Sequence, residues 1–172
     1  MSVNSNSAPV LQPVADQMIN PGFVLTLTNT ATDAESPLQT LTFSLAAGPF
    51  NAVVDSDSGV FTWRPLVSPS SSSNRVAVVV TDDGAPPMSA TNLFSIFVNP
   101  MVAPSFQSIS AGPGGVLIGF DGLTGPDYTL LSSTDLVSWQ VLFTTNPPAM
   151  PVILVDTNSS DAARFYSIQA GP

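Results

Sequence analysis

Two adjacent carboxylates, Asp82 and Asp83, follow a strand-like run in the segment RVAVVVTDDGAPP and precede a glycine and two prolines. A carboxylate pair of this kind suits three roles: acid and base catalysis, binding of a hard cation, or a polar turn. Nothing in the sequence marks either aspartate as buried with a raised pKa, so catalysis is the least favoured role. The metal site and the turn both stay open.

The residue types that the chain lacks exclude several kinds of chemistry. It has no Cys, His or Lys, which excludes zinc–thiolate sites, thiol catalysis and serine nucleophiles activated by His or Lys. Its cations are Arg64, Arg75 and Arg164 against a net charge of −9, so we expect neither nucleic acid nor an anionic membrane surface as a partner. No apolar run approaches the roughly 20 residues of a membrane helix, and no membrane insertion is predicted. We predict that the protein is not an enzyme.

The composition is typical of an extracellular or cell-surface protein: lysine is absent, Ser, Thr and Pro are abundant, and the balance is acidic. The opening residues, MSVNSNSAP, have neither the basic nor the apolar part of a signal peptide. Either export used a segment that the sequence does not contain, or the sequence is a piece of a longer chain.

Nearly every segment has the alternating, β-branched and aromatic pattern of a strand bounded by turn residues. In GVFTWRP, for example, Phe61 and Trp63 fall on one face and Val60, Thr62 and Arg64 on the other. No long segment sustains a helical period. The turn spacing predicts an all-β fold of two tandem antiparallel β-sandwiches. The domains are expected at residues 1–98 and 105–172, joined by a Pro-stiffened linker at residues 99–104.

Two resemblances follow from longer patterns. The Pro-Val opening strand, ATDAES, SGVFTWRP and VTDDG together resemble the cadherin-like and immunoglobulin-like modules of large secreted bacterial proteins, over about the first 100 residues. DYTLLSSTDLVSW and ARFYSIQAGP resemble a small fibronectin-type-III-like module found at the C-terminus of such proteins. Both families consist mostly of spacers, adhesion modules and building blocks of surface structures, which implies architecture more firmly than activity.

The cadherin-like resemblance implies a calcium site whose ligands would be Asp33, Glu35, Asp82 and Asp83. Calcium takes about six to eight oxygen ligands, which carboxylates and loop carbonyls can supply. The linker VNPMVAP departs from the family, because it lacks the acidic run that completes an interdomain calcium site. The alternative is a pair of solvated turn carboxylates in which Gly84 supplies a positive φ.

Three further patterns have a structural and a functional interpretation. DSDSG, Asp55 to Gly59, is either a turn or a calcium loop, and the missing distal Glu favours the turn. Trp63, Trp139, Tyr128 and Tyr166 are either core residues or a stacking platform for glycans, and the core is favoured. Candidate glycosylation sites lie in two polar segments. They are Ser70, Ser71, Ser72 and Asn158.

The N-terminal segment predicts self-assembly. In APVLQPV, Val10 and Val14 lie on one face of a potential strand, and Pro9 and Pro13 alternate along it, so one edge could pair with an open sheet of a second copy. A head-to-tail contact whose rotation does not close gives a filament. The alternative is that residues 8–14 form the domain's own first strand. The residues predicted to make the contact are Val3, Ala8, Pro9, Val10, Leu11 and Val14.

These patterns predict a non-enzymatic extracellular structural protein, the subunit of a surface filament or adhesive fibre. The expected partners are copies of the protein itself, and glycans are a second, less favoured class of partner. The alternative function is a polysaccharide-binding or spacer module of a secreted bacterial enzyme, which exposed aromatic side chains in a planar row would favour.

Overall fold

The computed structural model describes residues 5–34, 38–68, 71–158 and 163–171. Its elements are all β-strands, which confirms the predicted all-β fold. Among the described residues no helix is long and apolar enough to cross a membrane. The chain divides into two compact units: residues 1–19, 24–64 and 72–98 form the first, and residues 20–23, 65–71 and 99–172 form the second. The boundaries predicted from the sequence stay a prediction.

The described residues of the first unit form nine strands. They are β1 (Val10–Leu11), β2 (Gln17–Ile19), β3 (Leu25–Thr28), β4 (Ala31–Thr32), β5 (Thr42–Ala47), β6 (Val53–Val54), β7 (Val60–Trp63), β8 (Ser72–Thr81) and β9 (Ser89–Val98). A four-stranded sheet has the order β2-β9-β8-β5, a three-stranded sheet has the order β3-β7-β6, and β1 pairs with β4. All of these ladders are antiparallel except β2 with β9, which is parallel and departs from the predicted antiparallel arrangement.

Alternation along the strands builds the core between the two larger sheets. Val76, Val78 and Val80 of β8 are buried, and Phe61 and Trp63 of β7 are buried opposite them in one cluster. The rings of Phe61 and Phe94 meet edge to face at 5.8 Å between centroids, which joins the two sheets. The first unit is therefore a β-sandwich with a continuous core.

In the part of the second unit that the structure describes, six strands form two three-stranded antiparallel sheets. They are β10 (Ser105–Gly112), β11 (Gly115–Asp121), β12 (Asp127–Ser133), β13 (Gln140–Thr145), β14 (Val152–Asp156) and β15 (Phe165–Gly171). The sheet orders are β10-β11-β14 and β13-β12-β15. The Phe120 and Tyr128 rings, one from each sheet, lie 5.4 Å apart. Among the described residues of this unit, the buried hydrophobic side chains are Ile118, Phe120, Tyr128 and Leu130.

Candidate functional site

The Asp82 carboxylate organises the loop that joins β8 to β9. Its side chain is buried, at 4% exposure, and its Oδ1 accepts hydrogen bonds from the backbone N–H groups of Gly84 and Met88, both at 3.0 Å. The Asp82 N–H in turn donates to the Met88 carbonyl at 3.1 Å. This carboxylate therefore closes a turn. The predicted turn is present and Asp83 is exposed, but Asp82 is buried rather than solvated, and Gly84 is not among the positive-φ glycines.

Asn6 ties the N-terminal segment to this loop. Its Nδ2 donates to Asp82 Oδ1 at 3.0 Å and to the Pro86 carbonyl at 2.9 Å, and its Oδ1 accepts from Gln39 Nε2 at 2.6 Å. A Cβ added to Gly84 would overlap the Asn6 side chain, so the glycine is what allows the two to approach. We call this arrangement of Asn6, Gln39 and Asp82 the Asn6 bridge.

Asp83 connects the β8–β9 loop to the segment after β4, and we call the end of the first unit where these two segments meet its pole. It is exposed, and its Oδ1 accepts from the Thr40 N–H at 2.8 Å. Asp33, also predicted as a calcium ligand, accepts at Oδ1 from the N–H of its neighbour Ala34 at 2.8 Å. Glu35, the fourth predicted ligand, lies outside the described residues.

The fit of this pole to calcium is mixed. Oxygen atoms are plentiful, and Gln39 Oε1 is buried with no donor among the described residues, as an atom facing a cation would be. However, the described part of the chain contains no group of three or more His, Cys, Asp or Glu that could hold a metal ion. Calcium binding by Asp33, Glu35, Asp82 and Asp83 therefore stays a prediction.

The predicted assembly residues lie along the first unit. Val10 and Leu11 form β1, which pairs with only two residues of β4, and the next N–H, that of Gln12, donates to the Thr30 carbonyl at 2.9 Å. Leu11 and Val14 pack against the core, whereas Val10 is 60% exposed. Pro9 is buried and Ala8 is exposed, and Val3 lies outside the described residues.

The remaining candidates from the sequence separate into turns and surface positions. DSDSG is a turn: Asp55 Oδ1 accepts from the Asp57 N–H and from the N–H and hydroxyl of Ser58, and Gly59 has a φ of 68°. These bonds, chiefly the one from the Ser58 hydroxyl, lower the pKa of Asp55. Among the glycosylation candidates Ser71, Ser72 and Asn158 are exposed, and Ser70 lies outside the described residues.

The aromatic side chains are split between core and surface. Trp63 is 5% exposed and donates from Nε1 to the Phe50 carbonyl at 3.0 Å. Tyr128 is 1% exposed and donates to the Leu123 carbonyl at 2.8 Å, and burial raises the pKa of its phenol. Trp139 is 37% exposed and is therefore the more accessible of the two tryptophans.

Sequence reasoning missed a buried ionic network in the second unit. Arg164 Nε lies 2.6 Å from Asp156 Oδ2, and Asp156 is 2% exposed. The same oxygen accepts from the Tyr166 hydroxyl at 3.0 Å, and Arg164 Nη2 donates to Ser132 Oγ at 3.1 Å. Burial, then the hydrogen bond to Asp156, raises the pKa of Tyr166. The nearby cavity of about 130 Å³ is lined by Ser132, Ser133, Thr134, Ser138, Gln140 and Arg164.

A second hydrogen-bonded turn lies in STDLVSW. Asp135 Oδ1 accepts from the Val137 and Ser138 N–H groups at 2.8 and 2.7 Å and from the Ser133 hydroxyl at 2.9 Å. These bonds, led by that from Ser138, lower the pKa of Asp135 to about 2. The carboxylate holds a loop in place and is fully ionised at neutral pH.

No family model and no curated protein matches the chain. Solved structures that it resembles include the extracellular domain of Protocadherin GammaB4, at 20% identity over 66% of this chain and 20% of that chain, with a TM-score of 0.47. Human CDH23 EC21-23 is 20% identical over 70% of this chain and 47% of that chain, at 0.47. Protocadherin Gamma B2 extracellular cadherin domains 3-6 are 17% identical over 98% of this chain and 49% of that chain, at 0.41. The chain spans less than half of each solved chain, and the likeness concerns the fold alone.

Proposed function

We propose that this protein is a non-enzymatic extracellular structural protein whose copies assemble head to tail into a surface filament or adhesive fibre through the N-terminal segment. The observation that carries the proposal is the way this segment is attached to the first unit. β1 contributes a two-residue ladder, and ahead of it Asn6 holds the segment by side-chain hydrogen bonds. Attachments this short can be exchanged for the same contacts on a second copy at low cost.

Deletion of Met1 to Pro9 tests this assembly. The deletion removes Asn6 and the buried Pro9 but leaves β1 and the hydrophobic core cluster in place, so we expect a folded, soluble protein that no longer forms fibres. Negative-stain microscopy and sedimentation measure the outcome. Fibres of unchanged appearance from the truncated protein would contradict assembly through this segment.

A pair of point variants separates the assembly surface from general surface charge. Val10→Asp places a carboxylate on the exposed side of β1, where Val10 is 60% exposed, and is expected to weaken fibre formation. Val24→Asp adds the same charge at a residue that is 52% exposed elsewhere in the first unit, and is the matched control. If the two variants give equal fibre yields, β1 is not part of the assembly surface.

Calcium stabilisation is the second part of the proposal, with Asp33, Glu35, Asp82 and Asp83 as ligands. It is supported by Asp82, Asp83 and Thr40 lying at one pole and by the buried Gln39 Oε1 that lacks a donor among the described residues. An ion that binds the native state preferentially raises the melting temperature. Calcium should therefore raise the melting temperature over that in excess chelator, and Asp83→Asn should reduce the difference. If the melting temperature is unchanged and calorimetry detects no heat of calcium binding, the proposal of calcium stabilisation is wrong.

A polysaccharide-binding module is the alternative function, and exposed Trp139 favours it. An exposed ring on a β-sandwich can stack on a sugar face. Titration with soluble polysaccharides, followed by tryptophan fluorescence, tests this function. Binding that is lost in Trp139→Ala and kept when Met1 to Pro9 are deleted would place this function ahead of the fibre.

A further inference from the structure

Strand β10 is an open edge of the second unit. It pairs only with β11, and the sheet order leaves its other side without a strand among the described residues. With 8 residues it is longer than the other three edge strands of this unit, β13, β14 and β15, which have 6, 5 and 7. Seven of its eight residues are exposed, and Gly112 is half-buried. Its unpaired backbone groups are a template for another strand.

The usual protections of an edge strand are nearly absent from β10. Its sequence, SFQSISAG, has no charged residue and no proline, and one irregularity between Phe106 and Ser108 interrupts an otherwise continuous ladder with β11. Natural edge strands are normally blunted by lysine, proline, inward-pointing charge or strong bulges. From Ser108 to Gly112 nothing in the strand opposes the addition of a partner.

The side chains of β10 leave the core of the second unit open on this side. Ile109 is paired with Ile118 and Phe106 with Phe120, and residues opposite one another in a ladder share a face. Ile118 and Phe120 are fully buried, yet Ile109 is 52% and Phe106 37% exposed. An added strand would therefore gain apolar contacts on the core side as well as backbone hydrogen bonds.

The absence of charge on β10 suits a second copy of this chain as the occupant. The chain carries a net charge of −9, so two copies repel one another over most of their surface. No charged residue lies between Asp83 and Asp121, and β10 is inside this stretch. Two β10 strands can thus approach each other without placing like charges opposite one another.

We propose that β10 pairs antiparallel with β10 of a second copy across a twofold axis, joining two three-stranded sheets into one of six strands. The contact is isologous and closes on itself, so it gives dimers, whereas head-to-tail contacts continue. It does not depend on the N-terminal segment. Together with the proposed fibre contact it would join chains of subunits in pairs.

One charge variant and its control test the dimer in the full-length protein. Ile109→Glu places two carboxylates near each other across the axis and should weaken dimerisation by more than about tenfold, measured by sedimentation over a range of protein concentration. Leu93→Glu introduces the same charge at a residue that is 71% exposed on β9, an interior strand, and should leave the dimer unchanged. Equal dimerisation of wild type and Ile109→Glu, or its loss in both variants, would overturn the proposal.

Single cysteines supply a test that does not disturb the fold, because the chain has no native Cys. Cys replaces Ser105, Gln107, Ser108, Ser110 or Ala111 in turn, and Thr91→Cys on β9 is the control. Only residues near a twofold axis meet their own counterparts at the roughly 3.5–4.5 Å between Cβ atoms that a disulfide needs. Oxidation should therefore cross-link copies most strongly at one β10 position, with a decline on either side. Cross-linking no greater than in the control at every position would overturn the pairing.

The β10 contact and the N-terminal fibre contact can be tested independently of each other. A dimer that survives deletion of Met1 to Pro9 but is lost in Ile109→Glu supports the β10 contact alone. If the full-length protein is monomeric at every concentration, both the β10 contact and the fibre proposal are wrong.

Discussion

The Asp82 carboxylate, which the sequence predicts as a calcium ligand, is also an acceptor for the chain's own amides. Its Oδ1 serves Gly84, Met88 and Asn6 at once, in a site with almost no solvent. Desolvated carboxylates normally acquire such partners, since an unpaired buried charge is costly. The residue thus fixes the loop and, through Asn6, the course of the N-terminal segment.

Replacing Asp82 is expected to destabilise the first unit. Asp82→Ala leaves three donors without their acceptor and should lower the free energy of unfolding by about 2–3 kcal/mol. Asp82→Asn keeps a carbonyl acceptor and should cost less. Asp83→Ala, at an exposed carboxylate with a bond to the Thr40 N–H, is the control and should cost under about 1 kcal/mol. Urea unfolding of the three variants in excess chelator gives the order without any contribution from calcium; equal losses would show that the buried acceptor has no special role.

Asp135 makes the second unit sensitive to acid. Its pKa is about 2 in the folded protein and near 3.8 when unfolded, so its ionised form favours the folded state. This contribution is fully present above the unfolded value and is lost as the pH falls from about 3.8 towards 2. A titration of the Asp135 carboxyl by NMR should have its midpoint near 2. In Asp135→Asn the stability should fall less steeply over that window, and an unchanged profile would contradict the assignment.

Among the elements, the turn between β6 and β7 depends on one backbone conformation. Gly59 has a φ of 68°, and an added Cβ would overlap the Asn29 carbonyl and press on the Phe43 ring. Gly59→Ala should therefore lower stability by about 1–3 kcal/mol. Gly114→Ala, in open space with nothing within 4 Å, is the matched control and should change little. Thermal unfolding of both variants distinguishes a strained turn from a general effect of losing glycine.

Strands could be predicted from the sequence because their alternation is a local property. Phe61 and Trp63 were predicted on one face of a strand, and both are buried in β7. The parallel pairing of β2 with β9 was not predictable in this way. Its three rungs join residues that are far apart in the chain, and no local pattern specifies a partner or a direction.

The candidate site could be predicted only in outline. Asp82 and Asp83 were correctly singled out, but the donor from Asn6 comes from a segment 76 residues away, and the sequence does not show which residues meet at that distance. The Arg164 and Asp156 pair was missed although the two residues are close in the sequence, because Asp156 ends β14 and Arg164 precedes β15, and the sequence does not show how the sheets of these strands pack.

For the molecule as a whole, net charge controls how readily copies associate. With −9 per chain, association must overcome long-range repulsion. Raising the ionic strength from about 0.01 M to about 0.15 M shortens the screening length from roughly 30 Å to about 8 Å. Sodium chloride, added with chelator present, should therefore increase both dimer and fibre formation, as measured by sedimentation. Dissociation on adding salt would instead indicate an interface held by opposite charges.

The parallel ladder between β2 and β9 has a mechanical consequence. β2 pairs in parallel with the end of β9, with Gln17, Met18 and Ile19 opposite Ile96, Phe97 and Val98. β2 lies near the start of the first unit in the sequence and β9 lies at its end. Tension that pulls the N-terminus one way and the end of β9 the other way slides these strands along each other. The rungs then bear the load together, in shear, whereas the antiparallel β1 and β4 rungs would peel apart one after the other. A subunit under tension would thus give way first at β1, which uncovers the core beneath Leu11 and Val14, and would hold at β2.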